Sequence, residues 1–394
     1  MSIFKLLIFG VPLLSFAWWM WADQSLRRLR AGSGFRIGLS LSVLVILVGF
    51  IWVFLERRGV VNAPIPSALY ALVLLWGLIF MPLLGLPTMV GWALWMLARQ
   101  LLNRIQPANR SGSSISNATW SRREWLSSAL LSLPAIATYG TAAFNLPRLS
   151  RFRIREMQVF LHDLPEALDG MRIAQVTDTH VGKFTRGRVL DEIVAATNRL
   201  EADLILFTGD LIDNTIRDLP MAVTMLQKMR ARSGVFVIEG NHDLFDDPAG
   251  FEKGVRDGGL VLLRNEAATV NVRGVPVQLL GIAWAHGEPQ IVRDVETVAR
   301  LRDPGAFPIL LAHHPHAFDR AAELGFPLTL AGHTHGGQLM LTPELGAGPA
   351  MFRYWSGLYQ KAGRALVVSN GTGNWFPLRL NAPAEIIHLT LRKG

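Results

Sequence analysis

The chain has 394 residues, of which 50% are hydrophobic and 18% charged, with a formal net charge of +9 and no cysteine. Lack of cysteine excludes thiolate metal sites, disulfides and cysteine nucleophiles. The length leaves room for two or three domains, and so apolar a chain is not one ordinary soluble domain, because the excess is concentrated before residue 146.

Residues 3–22 are almost continuously apolar, with Lys5 as the exception, and so are residues 37–55. Either run is long enough for a hydrocarbon core, which takes roughly 20 residues. Residues 67–98 are apolar but broken at Gly85-Leu86-Pro87. At about 1.5 Å per residue they are overlong for one straight span, so they form one kinked, tilted helix or two short ones. Residues 126–144 are the last candidate. Trp18, Trp19, Trp21, Trp52, Trp92 and Trp95 lie towards segment ends, where amphipathic indoles favour the interface. Residues 1–146 therefore read as a transmembrane region of about four helices with a basic linker, five being the alternative.

The basic residues fall between the apolar runs and just after them, as membrane orientation requires, and no nucleic-acid partner is expected. Arg27, Arg28, Arg30 and Arg36 follow the first run, and Arg99, Arg104, Arg110, Arg122 and Arg123 occupy the linker. Only Arg57 and Arg58 lie between the second and third runs. Four spans with both rich loops cytoplasmic place the C-terminal domain on the outer side of an inner membrane. Ser121-Arg122-Arg123-Glu124-Trp125-Leu126 resembles a twin-arginine export signal, at an unusual internal position. Arg148, Arg151, Arg153 and Arg155 oppose this orientation, although long domains cross regardless of such charges. The cytoplasmic side is the alternative.

Beyond residue 147 the pattern changes. Residues 152–160 alternate as an edge strand does, and residues 171–177 form a buried strand. Residues 188–200 carry Val189, Leu190, Ile193, Val194 and Ala196 at helical period. Strand 204–208, helix 219–232 and strand 235–239 follow. This alternation implies parallel pairing in a layered domain. Residues 261–263, 269–272 and 275–282 read as shorter strands of a second sheet, with Gly274 at a turn. Residues 291–301 are helical; 309–312, 328–331, 365–369 and 386–391 are further strands. The expected fold class is α/β, a two-sheet α/β sandwich of about 240 residues, within single-domain range, preceded by an all-α transmembrane region.

Five strands end in residues able to hold metals: Asp178-Thr179-His180, Gly209-Asp210, Gly240-Asn241-His242-Asp243, His313-His314-Pro315 and Gly332-His333-Thr334-His335. A residue just past a strand sits on the sheet rim, where open α/β folds place ligands. No histidine occurs before His162, and most lie in or beside these runs. Residues two apart in an extended chain point the same way, so Asp178 and His180 share a rim. The carboxylate of Asp210 offers two oxygens, enough to bridge two cations. Nitrogen and oxygen donors without sulfur suit Mn, Fe, Zn or Co. Asp243 reads as a helix N-cap in preference to an orienting partner for His242. His286 and His316 read as solvated loop residues, and His162 and His388 as ordinary ones. Residues 346–357 read as packing under a long loop, with a lid dipping into lipid as the alternative. Asn370-Gly371-Thr372-Gly373 is weak evidence of phosphate binding.

Together, in this order, Asp-x-His, Gly-Asp, Gly-Asn-His-Asp, a lone His and Gly-His-x-His resemble the calcineurin-like metallophosphoesterase superfamily. The run 332–338 and the step His313-x-Pro315 resemble its bacterial membrane-associated or exported branch. The resemblance covers residue 171 onwards and implies two divalent metal ions. Asp178, His180, Asp210 and His335 would hold one; Asp210, Asn241, His313 and His333 would hold the other, with Asp210 bridging. It makes His242 the catalytic residue that contacts phosphate and protonates the leaving oxygen, and it prefers His313 over His314 as ligand. Two cations about 3.5–4 Å apart would lower the pKa of a shared water and clamp the phosphoryl oxygens. The expected function is membrane-anchored hydrolysis of phosphomono- or diester or pyrophosphate bonds, with a lipid-linked substrate as the hypothesis; related pyrophosphatases cleave a UDP-linked diacylglucosamine on the cytoplasmic side. The alternative is a non-catalytic metal-site scaffold binding a membrane partner. A transporter fits less well, because apart from Lys5 the spans lack the charged residues that would mark a pathway.

Overall fold

The computed structural model describes residues 10–105 and 122–394. The first residues of the first apolar run, Lys5 included, lie outside the described residues, as do Arg110 and Ser121. The chain divides into two compact units, Met1–Leu146 and Pro147–Gly394.

The first unit is helical: α1 Val11–Arg28, α2 Ser33–Arg57, α3 Ser67–Leu75, a π-helical turn Trp76–Gly85, α4 Leu86–Ile105 and α5 Arg122–Asn145. Residues 67–98 belong to one interrupted helix. Pro82 lies within the π-helical stretch, where its missing N–H and bulky ring disrupt the regular i→i−4 ladder. Thr88 Oγ1 donates to the Leu84 and Gly85 carbonyls, each at 2.8 Å, just beyond the disturbance. Trp76 Nε1 donates to Ser15 Oγ at 2.8 Å, and Tyr139 Oη to the Ser42 carbonyl at 2.7 Å. Each bond satisfies a polar group that apolar surroundings would otherwise leave costly. Among the described residues, Ser33–Arg57, Ser67–Leu102 and Glu124–Arg148 are long and apolar enough to cross a membrane. Arg122–Leu126, most of the export-like run, is the start of α5.

The second unit has two six-stranded mixed sheets, ordered β1-β12-β2-β3-β4-β5 and β10-β11-β9-β8-β7-β6. The first contains β1 Arg153–Leu161, β12 Glu385–Lys393, β2 Arg172–Val176, β3 Leu204–Thr208, β4 Val235–Ile238 and β5 Val261–Leu262. The second contains β10 Gly357–Lys361, β11 Arg364–Val368, β9 Leu328–Ala331, β8 Phe307–Leu311, β7 Val275–Gly281 and β6 Glu266–Val272. Their inner faces meet in one core, where Ile173, Leu206 and Ile238 pack with Leu279, Ile309 and Leu330. Helices α6 Arg188–Arg199, α7 Leu219–Gln227 and α8 Pro248–Asp257 cover the other face of the first sheet. Helices α9 Glu288–Ala299 and α10 Ala317–Glu323 cover the second. This is the two-sheet α/β sandwich, with most sheet neighbours parallel on the site side.

Two sequence expectations change. β5 pairs parallel with β4 in the first sheet, rather than with β6 and β7 in the second. The crossover α8 makes this possible, and its signal is faint: two glycines in ten residues, with only Phe251 and Val255 fully buried. Asp247 begins it by accepting the Gly250 N–H at 2.9 Å. Helix α7 stops at Gln227 instead of continuing to residue 232. There the Asn198 side chain captures the backbone, accepting from Arg230 N at 2.8 Å and donating to Lys228 O at 3.0 Å.

Candidate metal centre

The five strand-end runs meet at one rim, but their backbone is not extended. Asp178, His180, Asp210, His333 and His335 all have positive φ, between 46° and 72°. Non-glycine residues rarely accept this conformation, and it persists only where surroundings over-determine it. Here they do. Asp178 N–H donates to Gly209 O at 2.9 Å, and His180 N–H to Asp210 O at 3.1 Å. The Asp178 carboxylate also accepts the His333 N–H at 3.0 Å. Two glycines let these loops approach so closely. A Cβ on Gly240 would lie 2.2 Å from Asp210 Oδ1, and one on Gly332 would lie 2.2 Å from Asp178 Oδ2.

The geometry brings together all the ionisable residues expected there. His180 Nε2 lies 3.0 Å from His335 Nε2 and 3.5 Å from Asp210 Oδ2. His335 Nε2 lies 3.4 Å from Asp178 Oδ1. On the other side His313 Nε2 lies 3.1 Å from the same Asp210 Oδ2, and His333 groups with both. One oxygen of Asp210 thus faces both halves. Its other oxygen accepts the His242 N–H at 2.8 Å. Asn241 Oδ1 is buried without a hydrogen-bond partner, an expensive condition unless a ligand uses it.

The chemistry of this donor set fits divalent cations. His313 Nδ1 lies 2.7 Å from the Thr208 carbonyl; a carbonyl only accepts, so Nδ1 carries a proton and Nε2, facing Asp210, is the nitrogen that a cation would take. Arg379 Nη2 lies 2.9 Å from His335 Nδ1. A guanidinium only donates, which leaves the His335 proton on Nε2, between the two facing rings.

Charge in this buried site is distributed unevenly. Burial raises the Asp178 pKa, with His313 pulling the other way. For Asp210 burial also opposes ionisation, but the charges of His313 and His242 outweigh it and hold the carboxyl well below its usual range. Burial disfavours protonation of His313 and His242, yet Asp210 raises both to about 9. Burial, with His316 and His313 nearby, lowers His314 to about 3. The ring of His314 packs 4.8 Å from His333 and 6.0 Å from Trp284, outside the metal-compatible groups.

His242 Nδ1 sits 2.6 Å from the Asp213 carbonyl and must donate to it. Its Nε2 is then the nitrogen able to gain or lose a proton. Asp243 neither caps a helix nor touches this ring. Its two oxygens accept the Ile212 and Gly240 N–H groups, both at 2.9 Å, and so tie two strand ends together. The Asn370-Gly371-Thr372-Gly373 turn does not offer its amides to phosphate. They donate to Glu385 Oε1, Ser369 Oγ, Thr177 O and Asp178 O. His286 and His162 are exposed, while His388 pairs with Glu156 at 2.8 Å.

Four supporting residues escape the sequence reading. Asp213, three residues after Asp210, holds His242. Trp284 and Trp375 flank the centre with ring distances of 5.1 Å to His333 and 6.0 Å to His242. The Trp284 N–H donates to buried Glu239 at 3.0 Å. Arg379 has no sequence signal, lying 44 positions from His335. Besides His335 it donates to Asn374 Oδ1 at 2.6 Å and to the Gly373, Asn370 and Ala382 carbonyls at 2.7, 2.9 and 3.0 Å. Burial lowers its pKa to about 10, against the opposing charges of Asp178 and Glu385. Arg379→Met leaves these acceptors unpaired and is expected to cost roughly 3 kcal/mol. The urea midpoint of the full chain should fall while the slope stays constant; an unchanged midpoint contradicts this role.

A layered sandwich with a rim of aspartate, asparagine and histidine is the arrangement that metal-dependent phosphoesterases share. Residues 171–337 match the family described as calcineurin-like phosphoesterase. An uncharacterized metallophosphoesterase of Bacillus subtilis, YkuE, is 31% identical over 69% of this chain and 98% of its own length. An uncharacterized metallophosphoesterase of Helicobacter pylori is 30% identical over 62% of this chain and 65% of its own. A Danio rerio protein named as a transmembrane protein with a metallophosphoesterase domain is 29% identical over 68% of this chain and 62% of its own. The matches thus span just under two thirds of the Helicobacter and Danio relatives. The chain belongs to the calcineurin-like metallophosphoesterase family. Among the described residues, three of its helices are long and apolar enough to cross a membrane.

Proposed function

We propose that the chain is a membrane-anchored phosphoesterase with two divalent cations, acting on a phosphomono- or diester or a pyrophosphate that is lipid-linked. Asp178, His180, Asp210 and His335 would hold one cation; Asp210, Asn241, His313 and His333 would hold the other. The observation that carries this reading is the single oxygen of Asp210 turned towards His180 and His313 at 3.5 and 3.1 Å. Bound cations supply positive charge to the phosphoryl oxygens and a nucleophilic water at neutral pH. The protein's own residues do the rest. His242, oriented by the Asp213 carbonyl, delivers a proton from Nε2 to the leaving oxygen. Trp284 and Trp375 wall the centre and limit water around it.

The domain lies on the outer face of the membrane in this proposal, supported by the arginine-rich loops and the Arg122-Arg123 run. Tethering raises the effective concentration of substrates in or near that surface. A screen of the full chain with Mn²⁺ across soluble and lipid phosphoesters tests the activity, with hydrolysis expected on at least one lipid class. Failure on bis-p-nitrophenyl phosphate, p-nitrophenyl phosphate and phospholipids alike would sink it. Protease added to sealed spheroplasts tests orientation: digestion only after lysis places the domain inside.

A further inference from the structure

Two loops behind His335 carry unusually exposed aliphatic side chains. Leu341 is 67% exposed, Leu345 60%, Met351 69% and Leu380 43%. Single exposed leucines need no explanation, but several on one rigid feature do. These loops are rigidly joined. Met340 bridges Gly346, Leu339 bridges Leu380, and Leu341 N–H donates to Leu345 O at 2.8 Å. Asn381 Nδ2 donates to the Met340 and Leu341 carbonyls at 3.0 and 3.1 Å. Charge is nearly absent: residues 339–351 hold only Glu344, and Arg379 beside Leu380 turns inward to His335.

The feature is continuous with the metal centre. Its first loop leaves directly from Gly336-Gly337 and returns at Phe352, whose ring stands edge-on 5.7 Å from His333. The aromatic residues that follow are packed rather than offered to solvent. Tyr354 lies on Phe318 at 5.7 Å, Trp355 on Tyr359 at 6.1 Å, and the Trp355 carbonyl accepts from Thr334 Oγ1 at 2.7 Å. Of residues 346–357, Gly348, Phe352, Tyr354 and Trp355 follow the packing expectation, while Ala350, Met351 and Arg353 are exposed.

We propose that Leu341, Leu345, Met351 and Leu380 form an apolar lip that enters the bilayer surface among acyl chains, so that membrane-resident phosphoesters reach the centre along Phe352. The occupant follows from the chain itself. Only residues 146–152 join α5 to β1, and seven residues reach at most ~25 Å. Asn374, on the loop that leads to Leu380, donates to Leu149 O at 2.8 Å, so the exposed aliphatic rim belongs to the part of the domain where the short tether enters, as interfacial insertion requires. The proposal rests on the lipid-linked reading of the active centre, and its test separates the two.

The chain has no cysteine, so Leu345→Cys takes a single polarity-sensitive fluorophore. The full-length labelled protein, reconstituted in phosphatidylglycerol/phosphatidylcholine vesicles, should show a blue-shifted emission quenched by doxyl-labelled lipid. In parallel, Leu341→Ser/Leu345→Ser/Met351→Ser should lower kcat/KM on vesicle phospholipid about tenfold or more. The same variant should change bis-p-nitrophenyl phosphate hydrolysis by less than about twofold, since the lip makes no contact with a small soluble ester. Quenching in a protein that hydrolyses nothing supports the lip and defeats the lipid-phosphoesterase reading. Absence of quenching overturns the lip, as does a blue shift that depends on protein concentration, which assigns the surface to a second copy. Equal loss on soluble and lipid substrates also overturns it, because the residues would then serve folding.

Discussion

Asp210→Asn is expected to reduce phosphoester hydrolysis by about 10²–10⁴-fold, the several kcal/mol that cation stabilisation of the transition state is worth. The substitution keeps the shape of the side chain and removes its charge. Asp210 Oδ2 is the atom facing both His180 and His313, so an amide there weakens both halves at once. Its Oδ1 contact with the His242 N–H at 2.8 Å survives if the amide oxygen takes that place, and the loop should keep its form. The loss must therefore appear in kcat/KM together with a lower metal content by elemental analysis, while circular dichroism stays unchanged. A variant with full metal content and full activity would refute the shared-carboxylate arrangement.

His242→Gln is expected to cost about 10²–10⁴-fold, the usual range for a positioned acid or base, and the size should depend on the leaving group. A p-nitrophenolate departs without help, whereas a lipid or sugar alkoxide needs a proton. The drop should be larger for alkyl phosphoesters than for p-nitrophenyl esters, with metal content retained. Equal drops on both would assign His242 to phosphate binding alone. The Asp213 carbonyl at 2.6 Å is essential to this argument, because it commits Nδ1 to donation and leaves Nε2 for the substrate.

These two residues stand in motifs legible in the sequence, yet what makes them work is not. Asp213 and Arg379 are ordinary polar residues in their local context. Asp213 acts on His242 through its backbone carbonyl, which no side-chain pattern can reveal. Arg379 reaches His335 because residues 374–382 fold back behind the rim. Asp243 shows the converse. Its position suggests a cap, but packing turns its oxygens onto two strand ends. Burial, with the charge of Asp210 next, then raises its pKa to about 8.

Local pattern determined most of the strands, helices α6, α7 and α9, and the donor types at each strand end, since alternation and helical period follow directly from backbone geometry and the need to bury apolar faces. Tertiary structure alone decided which sheet takes β5, because that depends on the weakly patterned crossover α8. It also decided that Asp178, His180, Asp210, His333 and His335 adopt positive φ. Those conformations are unfavourable for each residue taken alone, and only hydrogen bonds from distant loops, with glycines that let the loops meet, make them the lowest-energy choice.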